Sequence, residues 1–294
     1  MFISGKKLKI HLLYLLIILI TLSAASLLAS KYALSVTHIT ASTGKISSSL
    51  RIVQLTDLHD SSFGRGNSRL IRKVREQDPD VILITGDLVN AKQENTEIAV
   101  NLIKNLVKIA PVYCSDGNHE VEYQENYGTD LHELYREAGA QILDHEYQDV
   151  EIAEQQLRIG GIYGYCLPAK YESEARADET EFLTRFQDTD RLKILMCHMP
   201  VCWVINESLD EWNVDYVFAG HVHGGEVILP FAGGIYAPDM GWFPGRLEGE
   251  FKSKDQERTL ILSRGLGTTE MIPRFNNIPE IMVVEIDGEK EKYE

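Results

Sequence analysis

Residues 51–59 read RIVQLTDLH, an apolar run that ends in an aspartate and a histidine. Short runs of aliphatic and β-branched residues are typical of buried strands. The same arrangement, an apolar run followed by side chains that can bind metals, occurs four more times: VILITGD at 81–87, VYCSDGNHE at 112–120, KILMCH at 193–198 and VDYVFAGHVHG at 214–224. Because the carboxyl ends of strands in an open α/β sheet meet at one edge, we expect these five strand ends to form one site.

Strand-like runs alternate with helix-compatible stretches along the rest of the chain. The strand candidates are Arg51–Thr56, Val81–Thr85, Val112–Ser115, Leu157–Tyr163, Leu192–Cys197, Val214–Ala219, Leu260–Ser263 and Ile281–Ile286. The helix candidates are Ser68–Gln77, Asn95–Lys108, Asp130–Ala138 and Glu179–Asp188. This alternation predicts an α/β domain whose sheet layers are covered by helices. The simplest division of the chain is an apolar N-terminal segment at 1–30, a tether at 31–50 with a short first strand at Val36–Thr40, and one folded domain at 51–290.

The residue types at the strand ends suit a transition metal. Asp57 and His59 are two residues apart, as are His221 and His223, so a strand-like backbone would present each pair on one face. Glycines at 86, 117, 220 and 224 permit tight turns and a close approach of the backbone. Imidazole, carboxylate and amide groups together suit manganese, iron or zinc better than calcium, which binds oxygen ligands. A single motif of this kind has little specificity, but five in order favour a metal site.

These motifs resemble those of the calcineurin-like metallophosphoesterases. The resemblance covers the chain from about Val36 to Ile286, and it implies a two-sheet β-sandwich flanked by helices, a four-layer αββα fold, with two metal ions at the sheet edge. The ligands that it implies are Asp57, His59 and His223 for one ion, Asn118, His198 and His221 for the other, and Asp87 as the bridge between them. It also implies that His119 contacts the substrate and helps the leaving group depart.

Two metal ions at such a site would hydrolyse a phosphomonoester, a phosphodiester or a pyrophosphate. Ions about 3.5–4 Å apart can share a carboxylate and a water, lower the pKa of that water toward about 7, and stabilise the attacking and leaving oxygens. The resulting hydroxide would attack phosphorus directly, while protonated His119 acts as general acid and Glu120 orients it. Asn118 and Arg264 are candidate phosphate contacts, although the position of Arg264 is equally compatible with a surface ion pair.

Three other functions share the fold or the motifs. A protein serine/threonine phosphatase also carries GNHE, but such enzymes have an arginine soon after the second motif, where this chain reads Asn90-Ala91-Lys92. A nuclease needs a basic groove, whereas this chain has 29 Lys and Arg against 44 Asp and Glu and a net charge of −15. Nucleic acid is therefore not an expected partner. A metal-binding relative without activity is disfavoured because every ligand and acid position holds a competent residue.

The N-terminal segment predicts a membrane anchor. Leu12–Ala29 carries no charge over 18 residues and follows Lys6, Lys7 and Lys9. As a helix it would span about 27 Å, close to the ~30 Å hydrocarbon core. A cleaved signal peptide has the same pattern, but no small-residue cleavage site follows the run, so the sequence favours an uncleaved anchor. The basic flank would face the cytoplasm and place the domain outside the membrane.

The anchor occurs together with GHVHGGEVILPF at 220–231 and SRGLGT at 263–268. In this combination the chain resembles membrane-associated bacterial phosphohydrolases of the YkuE and YaeI type. Because the anchor would hold the domain close to the outer face of the membrane, we expect an envelope phosphoester or pyrophosphate as substrate, including a lipid-linked one. The stretch Ile228–Phe243 is rich in aromatic and aliphatic residues, which fit either contact with lipid or packing in the core, and packing is slightly favoured.

The spacing of the four cysteines does not indicate a structural zinc site. Cys114, Cys166, Cys197 and Cys202 form no CxxC pair, and Cys114 and Cys197 lie within apolar runs. We therefore expect small buried residues rather than zinc ligands, and nothing in the sequence requires a disulfide.

Overall fold

The computed structural model describes residues 5–164, 177–205, 207–268 and 273–288. Its α-helices are α1 (Gly5–Tyr32), α2 (Ser68–Arg75), α3 (Glu97–Leu106), α4 (Asn118–Tyr127), α5 (Leu131–Glu137), α6 (Ala177–Phe186), α7 (Val201–Val204) and α8 (Ser208–Glu211). Its strands are β1 (Ser35–Thr43), β2 (Leu50–Leu55), β3 (Val81–Thr85), β4 (Val112–Ser115), β5 (Gln141–Ile142), β6 (Glu146–Ile152), β7 (Gln155–Ile162), β8 (Leu192–Cys197), β9 (Tyr216–Ala219), β10 (Ile228–Leu229), β11 (Gly233–Ala237), β12 (Gly241–Gly245), β13 (Gly249–Lys252), β14 (Thr259–Leu262) and β15 (Glu280–Gly288).

The strands form two six-stranded sheets and one small sheet. The first sheet has the order β1-β15-β2-β3-β4-β5, the second β13-β14-β9-β8-β7-β6, and the small sheet β10-β11-β12. Strands β2, β3 and β4 are parallel to one another, and so are β7, β8 and β9. Strands β3 and β8 are buried along their whole length, as parallel strands covered on both faces should be.

Apolar packing joins these elements into four layers. Between the two sheets, Ile52 and Leu83 of the first share one buried cluster with Ile194 and Phe218 of the second. The outer face of the first sheet packs with residues of α2, α3 and α5, and that of the second with residues of α6, α7 and α8. Each sheet therefore buries one face against the other sheet and one against helices, which confirms the predicted four-layer αββα architecture.

Residues 31–50 differ from the expected tether. Helix α1 continues to Tyr32, and β1 begins at Ser35 and pairs in parallel with β15 over its full length. The short first strand expected at Val36–Thr40 is present and extends over Ser35–Thr43, because threonine and β-branched residues suit an edge strand, and β1 is the edge of the first sheet. Only Ala33 and Leu34 separate the helix from the strand, so the folded domain lies directly against the end of α1.

Helix α1 meets the domain through specific hydrogen bonds. The backbone N–H of Asn276 donates to Ser26 Oγ at 2.9 Å, and that of Asn277 donates to Ser30 Oγ at 3.1 Å. The helix is apolar and long enough to cross a membrane over Lys9–Tyr32, with a mean hydropathy of 2.5, and a signal sequence would share these properties. Along most of its length the apolar side chains are exposed.

The cysteine expectation is confirmed for the described residues. Cys114, Cys197 and Cys202 are buried and form no disulfide with one another. Cys166 lies outside the described residues, as do the last two positions of the expected domain at 289–290.

Candidate metal centre

The carboxyl ends of five strands bring seven ligand-type side chains to one edge of the sandwich. They are Asp57 and His59 after β2, Asp87 after β3, Asn118 after β4, His198 after β8, and His221 and His223 after β9. All of these residues except Asn118 are buried, and Asn118 is half-buried. Ligand atoms of Asp57, His59 and His223 lie within 4.8 Å of one another, as do those of Asp87, His198 and His221. The structure thus brings together the residues that the sequence motifs singled out.

Asp87 lies between the two groups of side chains. Its Oδ2 atom is 3.1 Å from His198 Nε2 and 3.6 Å from His59 Nε2. Its Oδ1 atom accepts a hydrogen bond from the backbone N–H of His119 at 2.8 Å. One carboxylate oxygen is therefore fixed by the backbone, while the other faces both groups from the position that a bridging ligand would take.

Several buried polar atoms of this cluster have no hydrogen-bond partner among the described residues. They are both ring nitrogens of His59, Nε2 of His198 and Oδ1 of Asn118. A buried polar atom without a partner costs about 1–3 kcal/mol. Four such atoms in one cluster, two of them within 4 Å of the Asp87 carboxylate, fit a site that binds metal ions, because the ions would take the open lone pairs. Nitrogen and oxygen donors together suit manganese, iron or zinc.

The backbone presents the ligands in a way that the sequence did not predict. Asp57, His59, His221 and His223 have positive φ angles of 53°, 45°, 70° and 48°, so neither pair lies on an extended strand. Asp87 has a φ of 56° as well. Side chains other than glycine rarely adopt this left-handed region, and clusters of such residues are typical of functional sites. The expectation of a strand-like alternation was wrong: each chain turns sharply after its strand, and the turns aim the side chains inward.

Two glycines permit this close packing. A Cβ atom on Gly86, which has a φ of 86°, would lie 2.5 Å from the backbone nitrogen of Gly117 and 2.8 Å from His198 Nδ1. A Cβ atom on Gly117 would lie 2.2 Å from Asp87 Oδ1. The turns after β3 and β4 can therefore approach the bridging position only because neither residue has a side chain.

Outer hydrogen bonds orient two of the histidines. His198 Nδ1 is 2.7 Å from the carbonyl of Thr85 and can donate to it, which leaves the lone pair of Nε2 for a metal. His221 Nε2 is 3.0 Å from Oδ2 of Asp239, so Nδ1 is the ring atom left to bind. Sequence reasoning missed Asp239 because it lies in the turn between β11 and β12, eighteen positions away and outside any motif. Carboxylate–histidine pairs of this kind fix the tautomer of a ligand.

An arginine also reaches the centre, but it is not the predicted one. Arg264 donates to Glu280 Oε1 at 2.8 Å and lies 2.9 Å from Glu248 Oε2, so it forms the ion pairs that the sequence left open as its alternative role. The expected contact with phosphate gains no support from this geometry. Arg274 is buried instead, donates to the carbonyl of Gly267, and lies 3.3 Å from His223 Nδ1.

His119 and Glu120 have separate tasks. The N–H of Ala91 donates to Nδ1 of His119 at 3.0 Å, so the proton of the neutral ring is on Nε2. Glu120 does not orient this ring: its carboxylate accepts from the backbone N–H groups of Asp87, Leu88 and Gly117 at 2.6, 2.8 and 2.9 Å. The expectation for Glu120 was therefore wrong, because the helix start turns its side chain toward the loop that carries Asp87.

Burial and the carboxylates of Asp57 and Asp87 determine the pKa values of the histidines in the centre. Burial lowers the pKa of His59 to about 3 and also lowers that of His223. Burial alone would lower the pKa of His198 as well, but the nearby Asp87 and Asp57 raise it to about 10. Burial disfavours the charged form of Asp87, and the neighbouring histidines outweigh it and hold the pKa of that carboxyl below its usual value. The site therefore keeps a negative charge at the bridging position.

Comparison with known proteins agrees with this geometry. The model of the calcineurin-like phosphoesterase family matches residues 50–225. The chain is 28% identical to the uncharacterized metallophosphoesterase YkuE of Bacillus subtilis over 79% of this chain and 77% of that protein. It is 25% identical to the phosphodiesterase YaeI of Escherichia coli over 80% of this chain and 82% of that protein.

A solved 5'-nucleotidase precursor from Thermus thermophilus is similar in fold, with a TM-score of 0.48 at 11% identity. The match covers 81% of this chain and 54% of that structure. The four-layer fold, the seven converging ligand-type residues and the family match define a metal-dependent hydrolase of phosphoric esters. The chain belongs to the calcineurin-like phosphoesterase family.

Proposed function

We propose that this enzyme binds two divalent ions and hydrolyses a phosphoester at the strand-end cluster. Asp57, His59 and His223 would hold one ion, and Asn118, His198 and His221 the other, with Asp87 between them. The observation that carries the proposal is the Oδ2 atom of Asp87, which faces both groups while unpartnered ring nitrogens point at it from either side. Manganese, iron and zinc all fit this donor set.

Bound ions would activate a water molecule and neutralise the charge of the phosphate. The chain's own residues would position the substrate and assist the leaving group. Because Nδ1 of His119 accepts from Ala91, its Nε2–H is the group that can donate a hydrogen bond to the leaving oxygen, and this arrangement favours hydrogen-bond donation over the expected transfer of a proton from a protonated ring. Glu120 would keep the loop of Asp87 in place by accepting hydrogen bonds from the backbone N–H groups of Asp87 and Leu88.

We further propose that the enzyme works on the extracytoplasmic side of the cell membrane. The apolar, exposed α1 and its basic N-terminal flank support an uncleaved anchor in that orientation. The substrate would then be an envelope phosphoester or pyrophosphate, including a lipid-linked one. The name of YaeI, a phosphodiesterase, favours a diester as the first substrate to test.

Nuclease and protein phosphatase activities on the same fold are less well supported. All three charges in residues 1–30 are basic, so the rest of the chain has a net charge of −18, which opposes binding of a polyanion. In the second motif, Ala91 and Lys92 occupy the positions where protein phosphatases carry an arginine.

Metal analysis combined with a hydrolysis panel tests the proposal. The full-length protein in detergent should contain two metal ions per chain and should hydrolyse at least one of three substrate classes, aryl phosphomonoesters, phosphodiesters and pyrophosphates. Chelation should remove both the metal and the activity, and added manganese should restore them. Hydrolysis that survives complete removal of metal would overturn the proposal, and metal binding without hydrolysis of any class would leave the chain a metal-binding protein.

A further inference from the structure

The small sheet β10–β12 exposes an unusual concentration of large apolar side chains. Phe231 is fully exposed, and Trp242 and Phe243 are 69% and 63% exposed. Among the described residues outside α1, the only other exposed large apolar side chains are Leu229, which belongs to the same sheet, and Ile205. The sequence slightly favoured core packing for the stretch Ile228–Phe243. Ala237 is indeed buried, but Phe231, Trp242 and Phe243 point into solvent. An apolar patch of this kind marks a contact surface.

One short segment places this sheet beside the end of α1. Asn276 is hydrogen-bonded to both. Its backbone N–H donates to Ser26 Oγ of the helix at 2.9 Å, and its Nδ2 donates to the carbonyl of Ile228 in the sheet at 3.1 Å. Asn277 makes the next pair of contacts, to Ser30 Oγ of the helix and to the carbonyl of His223 in the metal centre. Helix end, small sheet and metal loop are thus held together by two consecutive residues.

The same sheet also reaches the metal centre directly. The turn between β11 and β12 carries Asp239, whose Oδ2 atom is 3.0 Å from Nε2 of His221. Trp242 follows three residues later and packs against Tyr236 across the hairpin, with ring centroids 5.3 Å apart. A surface that contacts Trp242 is therefore close to a residue that orients a metal ligand.

We propose that the β10–β12 sheet is a second membrane contact, which inserts Phe231, Trp242 and Phe243 into the lipid surface and holds the metal centre at the level of the headgroups. The inference rests on the proposed function, and it assigns the substrate to phosphoesters of membrane lipids. If α1 spans the bilayer, the two-residue link and the serine–asparagine hydrogen bonds keep this sheet at the membrane surface. Aromatic rings are favoured there.

The charge of the domain determines the kind of contact. A net charge of −18 outside residues 1–30 gives no general attraction to anionic lipids, so binding has to come from apolar burial. Apolar insertion depends little on salt, whereas attraction between charges weakens as ionic strength rises. Contact through this sheet should therefore persist at high salt.

Trp242 provides a direct test in the full-length protein. The chain has three tryptophans, of which Trp203 and Trp212 are buried. In phosphatidylcholine vesicles whose acyl chains carry bromine, part of the tryptophan emission should be quenched relative to unbrominated vesicles, at low and at high salt. The variant Trp242→Phe should lose the quenched part and keep the rest. Equal quenching in both proteins, or none in either, would overturn the proposal.

Activity provides the second test, with a matched control. The double variant Phe231→Ser/Phe243→Ser should lose roughly tenfold or more in kcat/KM on a phosphodiester lipid embedded in vesicles, because interfacial binding scales with buried apolar area. Its rate on a soluble aryl phosphodiester should stay unchanged. Ile205→Ser, which alters an exposed apolar residue outside the sheet, should change neither rate.

The outcomes separate this inference from the proposed function. Failure of the unaltered enzyme to hydrolyse any phosphoester would refute the proposed function, while the quenching of Trp242 would still report on the membrane contact. Equal loss on both substrates would mean that the double variant disturbs the site, and it would count against the inference. Crosslinking of Trp242 to a second copy of the chain in vesicles, without quenching by bromine, would assign the surface to a dimer instead.

Discussion

Two regions of the described chain bring histidines and carboxylates together, and they differ in what their polar atoms contact. In the metal centre, His59 and His198 leave ring nitrogens without partners, although both residues are buried. In the second, which we call the outer cluster, His132 Nε2 lies 2.7 Å from Asp116 and His145 Nδ1 lies 2.8 Å from Asp144. The residue types are similar, but each of these outer-cluster histidines has a ring nitrogen within hydrogen-bond distance of an aspartate, whereas neither ring nitrogen of His59 has a hydrogen-bond partner.

The difference shows what makes a metal site beyond its composition. In both regions, groups of three such residues have their ligand atoms within 4.8 Å of one another, so distance does not separate them. Burial lowers the pKa of His59 to about 3, which keeps the ring neutral and one of its nitrogen lone pairs available. In the outer cluster, hydrogen bonds to Asp144 and Glu179 raise the pKa of His145 to about 10, which favours a charged partner in an ion pair. A buried histidine with neither ring nitrogen paired, as at His59, is therefore the better indicator of a metal.

The substitution Asp87→Asn should have the largest effect. It removes the oxygen that faces both ligand groups, so turnover should be abolished and the bound metal should decrease. The control is Asp144→Asn in the outer cluster, which should leave metal content and kcat unchanged. Metal analysis and steady-state kinetics measure both variants. Loss of metal in Asp144→Asn would make the outer cluster a metal site as well and would break the comparison.

The substitution His119→Ala should follow, with a loss of roughly 10²–10⁴-fold in kcat on substrates with poor leaving groups. Activated aryl esters should lose much less, and the metal content should stay near that of the unaltered enzyme. The variant His119→Gln retains an N–H donor, so partial recovery of the rate would favour hydrogen-bond donation from Nε2 over full proton transfer. Equal losses on good and poor leaving groups would exclude both roles.

The substitution Asp239→Asn tests the outer contact of His221. Loss of a carboxylate that orients a ligating histidine reduces metal affinity or activity by about 10–100-fold. Titration of the metal-free protein with manganese should show weaker binding, and excess metal should restore most of the rate. An unchanged affinity would mean that the hydrogen bond at 3.0 Å does not orient the ligand.

The substitution Glu120→Gln should destabilise the protein by about 1–3 kcal/mol, because an amide cannot accept all of the backbone N–H groups that surround this side chain. Activity should decrease through the displaced loop of Asp87. Glu122→Gln, an exposed change in the same helix, should have no effect on either property. Denaturant unfolding compares the two variants, and equal midpoints would contradict the role assigned to Glu120.

The substitution His145→Gln should have the smallest effect, about 1 kcal/mol or less, because the pair is partly exposed. The pKa of His145 is raised from 6.5 to about 10 on folding, so its contribution is complete below pH 6.5 and is lost as the pH rises toward 10. Unfolding experiments at pH 6 and pH 10 should therefore show a difference between variant and unaltered protein only at the lower pH. Turnover at saturating metal should not change.

The sequence by itself predicted the residues that gather at the strand ends, and its resemblance to a known family predicted the four layers. Apolar runs followed by ligand-type residues predicted five strand ends. Each of these five strands begins and ends within about two residues of its predicted bounds. Long apolar runs are reliable because parallel strands buried on both faces leave no place for polar residues. Helix α4 was missed, since NHEVEYQENY has no clear apolar face.

Only the tertiary structure decided how the ligands are aimed and which residues support them. The left-handed turns at Asp57 and His221 have no local signature in the sequence. The contact between Asp239 and His221 joins two segments that are separated in the chain. Strand β1 likewise exists because β15, more than two hundred residues later, supplies its hydrogen bonds. Local pattern records which face of an element is buried, whereas contacts between distant segments depend on packing that no single stretch of sequence contains.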